Sequence, residues 1–245
     1  MTLDTAARTG RATFPETTRA ESRRTRHNIR VLRRFGIAPR VAAGVLLAAL
    51  ILPAQSKRTE DLAVGKLLVT PRDAPDPAFA ESVILLVHYD SESAVGLMIN
   101  RRTTIPLSRA LRNLKGAAQR SDSVYIGGPV ETGTAMALFR SNTKPDSGAR
   151  VLEKIYLIPS QPALEGALAG GRSAADLRVY AGYCGWGPGQ LDNEMRLRAW
   201  YILDGSAALV FDPNPDTIWS RLISRSESRI AQARGPFRDM LIRRP

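Results

Sequence analysis

A chain with one cysteine cannot close an intramolecular disulfide, and Cys184 is the only cysteine of these 245 residues. Histidine is nearly as scarce, with His27 and His88 alone. No C-x-x-C or H-x-x-x-H occurs, so the ligand spacing of a first-row metal centre is missing. The acids Asp73, Asp76, Glu81, Asp90, Glu92, Asp192 and Glu194 match no calcium loop and read as caps and turn residues. No Gly-Lys-Ser/Thr follows a glycine-rich turn, which excludes a P-loop. No apolar run approaches the ~20 residues of a membrane helix. The run at 41–52 stops at 12 residues.

What the chain has in excess is positive charge, but the excess is local. Of the net charge of +12, +9 falls on residues 1–58. A body close to neutral needs no polyanionic partner. Residues 1–40 are rich in Arg, Thr and Ala and are expected to be a disordered basic leader. The apolar segment 41–56 that follows has the length of a signal-peptide h-region, with Arg30, Arg33, Arg34 and Arg40 upstream and Ala54-Gln55-Ser56 as a small-residue cleavage site. The expectation is export to the periplasm or beyond. If the leader is a misassigned start, the alternative is a cytoplasmic protein; a start near Val31 or Leu32 would instead leave an ordinary signal peptide. A membrane is a partner only through this leader, if it is not cleaved.

The remainder, 62–245, shows no repeat, linker or low-complexity segment and reads as one domain. Strands are predicted at 65–70, 82–89, 94–100, 123–126, 134–139, 155–158 and 177–183. The segments 82–89 and 94–100 form a hairpin across a polar turn, and 200–203 and 207–211 form a second around Asp204-Gly205. Helices are predicted from Pro106 with Leu107, Leu111 and Leu114 at helical spacing, from Ser160 to Gly170-Gly171, over 190–198, and after an Asp216 cap with Ile218, Trp219, Leu222 and Ile223 buried. Strands and helices mix without regular alternation, which favours an α+β fold.

The stretch AGYCGWGPGQLDNE, 181–194, places Gly182, Gly185, Gly187 and Gly189 around the single thiol. A glycine loop between strand and helix is the context of an anion site. However, the spacing is G-x-G-x-G, and Pro188 removes one of the amides that would cradle a phosphate. The simpler reading is a tight reversal with Trp186 plugging the sheet. Cys184 and His88 are the one conceivable nucleophile–base pair, although nothing in the local sequence would activate the thiol. Glu194 has Arg196 and Arg198 nearby as surface partners. Arg101, Arg102, Arg109 and Arg112 form a basic corner. It lacks the interleaved aromatics of a nucleic-acid surface and any helix-turn-helix pattern, so nucleic acid is disfavoured as a partner.

Four stretches carry a resemblance: GKLLVTPRDAPDPAFAESVILLVHY (65–89), GLMINR (96–101), VYIGGPV (124–130) and YAGYCGWGPGQLDNE (180–194). In kind and spacing they are similar to the AlgH (YqgE/AlgH) family of bacterial proteins. The resemblance implies a single α+β domain around a strongly twisted, barrel-like mixed β-sheet with flanking helices. It supplies no catalytic or cofactor-binding residue, since the family is of unassigned function and its members are sometimes labelled transcriptional regulators. Three features depart from the family pattern. Cys184 stands where another small residue is usual, Asp192 stands where glutamate is commoner, and most members begin near the first strand.

The sequence therefore points to a non-enzymatic binding or regulatory module, its partner an unknown protein or small ligand, with no cofactor and no metal. The alternatives are a transcriptional regulator, if the protein is cytoplasmic, or a small-molecule enzyme using Cys184 and His88. The candidate ligand-binding residues are His88, Asn100, Gly127, Gly128, Gly185, Trp186, Gly187 and Gln190.

Overall fold

Aliphatic runs make the frame. The computed structural model describes residues 61–171 and 173–233. The predicted leader, 1–40, and the apolar segment, 41–56, lie outside the described residues.

Ten strands pair into one curled sheet: β1 Lys66–Val69, β2 Val83–Tyr89, β3 Ala94–Met98, β4 Arg102–Pro106, β5 Ser123–Ile126, β6 Val130–Arg140, β7 Ala149–Leu152, β8 Ile155–Ile158, β9 Leu177–Trp186 and β10 Tyr201–Asp204. The order is β10-β1-β2-β3-β9-β6-β8-β7, with β4 and β5 branching from β9. The pairing is antiparallel except for β5 against β9. This is a half-barrel of α+β type, as the sequence implied. The predicted first hairpin is present as β2 and β3, with a register shift between Leu86 and His88.

Among the described residues five α-helices flank the sheet: α1 Leu107–Ala110, α2 Gln161–Ala169, α3 Gln190–Arg196, α4 Ala207–Val210 and α5 Ile218–Ala233. Two apolar clusters show where they press. Leu68, Ile84, Leu86, Met98, Cys184 and Trp186 lie with Leu191 of α3 and with Trp200. Val124, Ala137, Phe139, Leu177 and Val179 lie with Leu164 and Leu168 of α2. Ile218, Trp219, Leu222 and Ile223 of α5 are buried as their helical spacing requires, and the Trp219 indole donates to the Thr70 carbonyl at 2.8 Å.

Strand β9 changes neighbours part-way along its length. Tyr180 and Ala181 pair with β5, whereas Cys184, Gly185 and Trp186 pair with β3. Gly182 stands between the two with φ +69, a left-handed conformation that glycine adopts without a Cβ penalty.

Several local expectations are corrected. The second hairpin does not form. Its first arm, β10, runs antiparallel to β1, and its second arm is the helix α4, begun by the Ser206 hydroxyl accepting from the Leu209 amide at 3.3 Å. Gly205 is not a hairpin turn, because its amide donates to the Gly65 carbonyl at 3.0 Å. Asp216 does not cap α5. It lies in a 3₁₀ turn, Pro215–Thr217, and pairs with Arg102 at 3.4 Å. Ser160 stands at the cap of α2 without a side-chain hydrogen bond. The helix from Pro106 is four residues long, and Leu111 and Leu114 lie in the turns beyond it. Strand β9 continues through Trp186, so the chain reverses at 187–189. Helix α3 stops at Arg196. Strands β4 and β7 and the first residues of β6 were not predicted.

Candidate functional site

The four sequence stretches meet in space, and their polar residues are spent on one another. Asn100 follows β3. Its Oδ1 accepts from the Val83 amide at 2.8 Å and its Nδ2 donates to the Glu81 carbonyl at 2.9 Å. The Arg101 guanidinium donates to the Ala80 carbonyl at 2.7 Å and to Ser82 Oγ at 3.1 Å. The turn 80–82, where Glu81 holds φ +54, is thus fastened from both sides. Thr70 completes the clamp by donating to the Phe79 carbonyl.

Phe79, carried by the same loop, stands edge-on to Trp200 at 5.8 Å between ring centroids, and Trp200 meets Trp186 at 6.2 Å. Both indoles donate to one atom, Glu194 Oε2, at 2.8 Å each. Gln190 Nε2 donates to Glu194 Oε1 at 3.0 Å, and Gln190 Oε1 accepts from the Gly187 amide at 3.1 Å. Asp192, two residues earlier on α3, accepts from the Tyr89 hydroxyl at 2.9 Å. Glu194 therefore serves the two indoles rather than Arg196 or Arg198, which corrects the surface pairing expected for it. The helix places Gln190 and Glu194 four apart, so their side chains share a face. Gly189 begins α3 at φ +66.

The turn after β5 is held by close approach. A side chain on Gly127 would strike the Gly182 carbonyl, and one on Gly128 would strike the backbone of Tyr183 and Cys184. The Gly127 amide donates to the Ala181 carbonyl at 2.8 Å, and its carbonyl accepts from Met98 at 2.9 Å.

Cys184 is 1% exposed, and its Sγ donates to the Gly127 carbonyl at 3.5 Å. Burial pushes its thiol well above the ordinary range, against a small opposing pull from the Arg101 charge. His88 Nε2 meets Asp90 Oδ2 at 3.0 Å. Burial pushes the Asp90 carboxyl up, but hydrogen bonds from the Glu92 and Ser93 amides, together with His88, bring it below the usual carboxylate value. Thus His88 and Cys184 each have a partner elsewhere. The candidate ligand residues also divide. Trp186 pairs with Ala94 at one end of β3, with Gly185, Gly187 and Gln190 beside it. Asn100 lies past the other end, roughly 20 Å away at about 3.3 Å per residue. Gly127 and Gly128 lie between, against β9. Among the described residues no group of three or more His, Cys, Asp or Glu is arranged to hold a metal ion.

Nothing in the sequence directly signals the double acceptor role of Glu194. The only available signal was an acid on the same helical face as Gln190, eight residues after a tryptophan. Nor did composition mark a second surface. Ile105 on β4 and Ile126 on β5 are 43% and 45% exposed, beside the basic corner.

Comparison with known proteins gives the same stretches a family context. An AlgH-like family model matches residues 67–231. A UPF0301 protein of Streptomyces avermitilis is 32% identical over 173 residues, covering 68% of this chain and 88% of that protein. One from Methylococcus capsulatus is 34% identical over 166 residues, covering 66% and 90%. The solution structure of the AlgH protein from Pseudomonas aeruginosa superposes with a TM-score of 0.54 at 26% identity, covering 81% of this chain and 98% of that one. A match of this extent, over the same strands whose signature residues interlock here, establishes that the chain belongs to the AlgH-like family.

Proposed function

We propose that this chain is a non-enzymatic binding or regulatory module that recognises a protein or small ligand and carries out no covalent chemistry. The observation that supports this reading is the engagement of the conceivable catalytic pair. The Cys184 thiol is buried against the Gly127 carbonyl, and His88 is occupied by Asp90. A nucleophilic cysteine needs thiolate character and access, and burial opposes both. The glycines around it serve strand exchange and helix entry.

The test is thiol reactivity. Native protein treated with iodoacetamide is expected to label slowly, with a rise to the rate of a free thiol only on unfolding in urea. Rapid labelling of the folded protein, with His88→Gln slowing it, would overturn this reading and favour the Cys/His enzyme.

A transcriptional regulator remains the second reading, motivated by the basic stretch that starts at Arg101. Gel-shift titration against duplex DNA over a range of salt concentrations tests it, since phosphate-driven binding falls steeply with salt.

A further inference from the structure

We propose that the outer surface of β4 and β5, together with the segment that joins them, docks an acidic protein segment carrying aliphatic side chains. The inference deepens the binding-module reading and rests on it. Val124 of β5 lies under α2, within the apolar cluster that the helix covers. Ile126 is two residues on, hence on the same face of the strand, but beyond that cover and 45% exposed. It pairs with Ala181 of β9, which pairs in turn with Ala135 of β6. Both alanines are half-buried, so an apolar strip crosses three strands and leaves the core at Ile126. Ile105, 43% exposed, lies on neighbouring β4 in the bulge opposite Val124. Two of the large exposed aliphatic side chains of the described residues thus lie on adjacent strands, about two positions apart along them.

Charge specifies the occupant. Residues 101–121 contain Arg101, Arg102, Arg109, Arg112, Lys115 and Arg120 and no Asp or Glu. Arg120 is held by Asp122 at 2.7 Å, and Arg102 meets Asp216. Arg109, Arg112 and Lys115 are exposed and form no ion pair among the described residues. An apolar strip beside three unpaired cations complements a segment in which aliphatic side chains alternate with carboxylates. The exposed apolar groups are aliphatic, so they offer no ring on which a nucleobase could stack.

Recognition here runs through side chains rather than strand addition. The β4 ladder is interrupted between Arg102 and Pro106, Pro106 has no amide to give, and the Ile105 amide already donates to Thr103 Oγ1 at 3.1 Å. The edge is therefore closed to a fourth ladder of backbone bonds.

The experiment titrates the intact chain with four fluorescent probes: a twelve-residue peptide alternating Glu with Leu and Ile, the same peptide with Lys for Glu, oligoglutamate, and a mixed-sequence single-stranded oligonucleotide. The acidic aliphatic peptide is expected to bind best. Ile105→Ser/Ile126→Ser and Arg109→Glu/Arg112→Glu should each weaken it at least tenfold, about 1.4 kcal/mol, with unchanged near-UV circular dichroism. The four side chains are exposed or half-exposed, so the fold should tolerate these changes. No binding of the acidic aliphatic peptide, equal binding of the lysine peptide, or equal binding by the Ile105→Ser/Ile126→Ser protein would overturn the proposal. Tighter binding of the oligonucleotide would replace it with a nucleic-acid surface. Failure here leaves the thiol-labelling result untouched, so the docking surface and the non-enzymatic reading fail separately.

Discussion

Trp186 and Glu194 are joined by a 2.8 Å hydrogen bond from the indole Nε1 to Oε2, and the same oxygen accepts the Trp200 indole. One carboxylate therefore satisfies two largely buried N–H groups and ties the end of β9 to Trp200, just before the edge strand β10.

Truncating this acid should leave both indoles unsatisfied. Glu194→Ala is expected to cost about 2–5 kcal/mol, since each orphaned buried donor costs ~1–3 kcal/mol. Glu194→Gln keeps one carbonyl acceptor and should cost less. Trp186→Ala, which removes a side chain only 3% exposed, should cost about 3–5 kcal/mol. Urea unfolding followed by tryptophan fluorescence measures all three. A loss below ~1 kcal/mol in Trp186→Ala, the scale of ordinary surface changes, would mean that the indole is not a core element.

Asn100 holds its turn with two hydrogen bonds, one of them to a buried amide. Asn100→Ala should lower stability by about 1–3 kcal/mol through the unsatisfied Val83 N–H. It should also speed hydrogen exchange at Val83 more than at β6 or β8. Uniform acceleration across the sheet would show that Asn100 is not a local fastener.

Gly128 leaves no room for a side chain where it crosses Tyr183 and Cys184. Gly128→Ala must push two backbones apart and is expected to destabilise by more than Gly187→Ala, where a side chain would meet nothing within 4 Å. Comparable urea midpoints for the two variants would contradict the close packing of this crossing.

Alkaline pH should find the buried phenols. Burial raises the Tyr183 hydroxyl from 10.0 to about 12, helped by the Glu131 carboxylate, and burial likewise raises Tyr180 and Cys184. The neutral form is the folded form, so the stabilisation is complete below the unfolded values, 9.0 for the thiol and 10.0 for the phenols. It is lost as pH rises from there towards 12, at a slope approaching 1.4 kcal/mol per pH unit for each group that ionises only on unfolding. Tyr183→Phe should make the decline shallower by one group. An unchanged slope would assign the alkaline limit to other residues.

The leader makes a separate prediction from its order of basic, apolar and small residues. The mature protein is expected to begin at Lys57, after cleavage behind Ser56. N-terminal sequencing of protein from cell fractions decides this, and intact residues 1–56 on cytoplasmic protein would refute it.

Much of the frame was legible in the sequence because continuous aliphatic runs such as 82–89 announce a buried strand whatever surrounds them. Strand β4, RTTIP, was not, because its pattern is polar and ends in proline, and only pairing with β5 makes it a strand. Ala207–Phe211 read as a strand because a short apolar run fits either state, and the choice fell to the Ser206 cap and to the docking of Gly205 on Gly65. At the site, Trp186 as a core plug followed from its glycine surroundings. Its partner Glu194 did not, because a carboxylate near two arginines looks like a surface ion pair until the burial of both indoles is known.

Strand β9 has a consequence for the order in which the molecule is made. It joins β3, β5 and β6, all synthesised well before it, and β10, later still, pairs with the first strand. A nascent chain halted before Leu177 would hold two three-stranded units, β1-β2-β3 and β6-β8-β7, and the β4–β5 pair, with no strand to join them. The principal contacts are non-local, and loop closure must precede the reward for making them. Joining of the half-barrel must therefore wait for β9. Until it occurs, the unpaired edges of β3, β5 and β6 are exposed to chaperones, proteases and neighbouring chains.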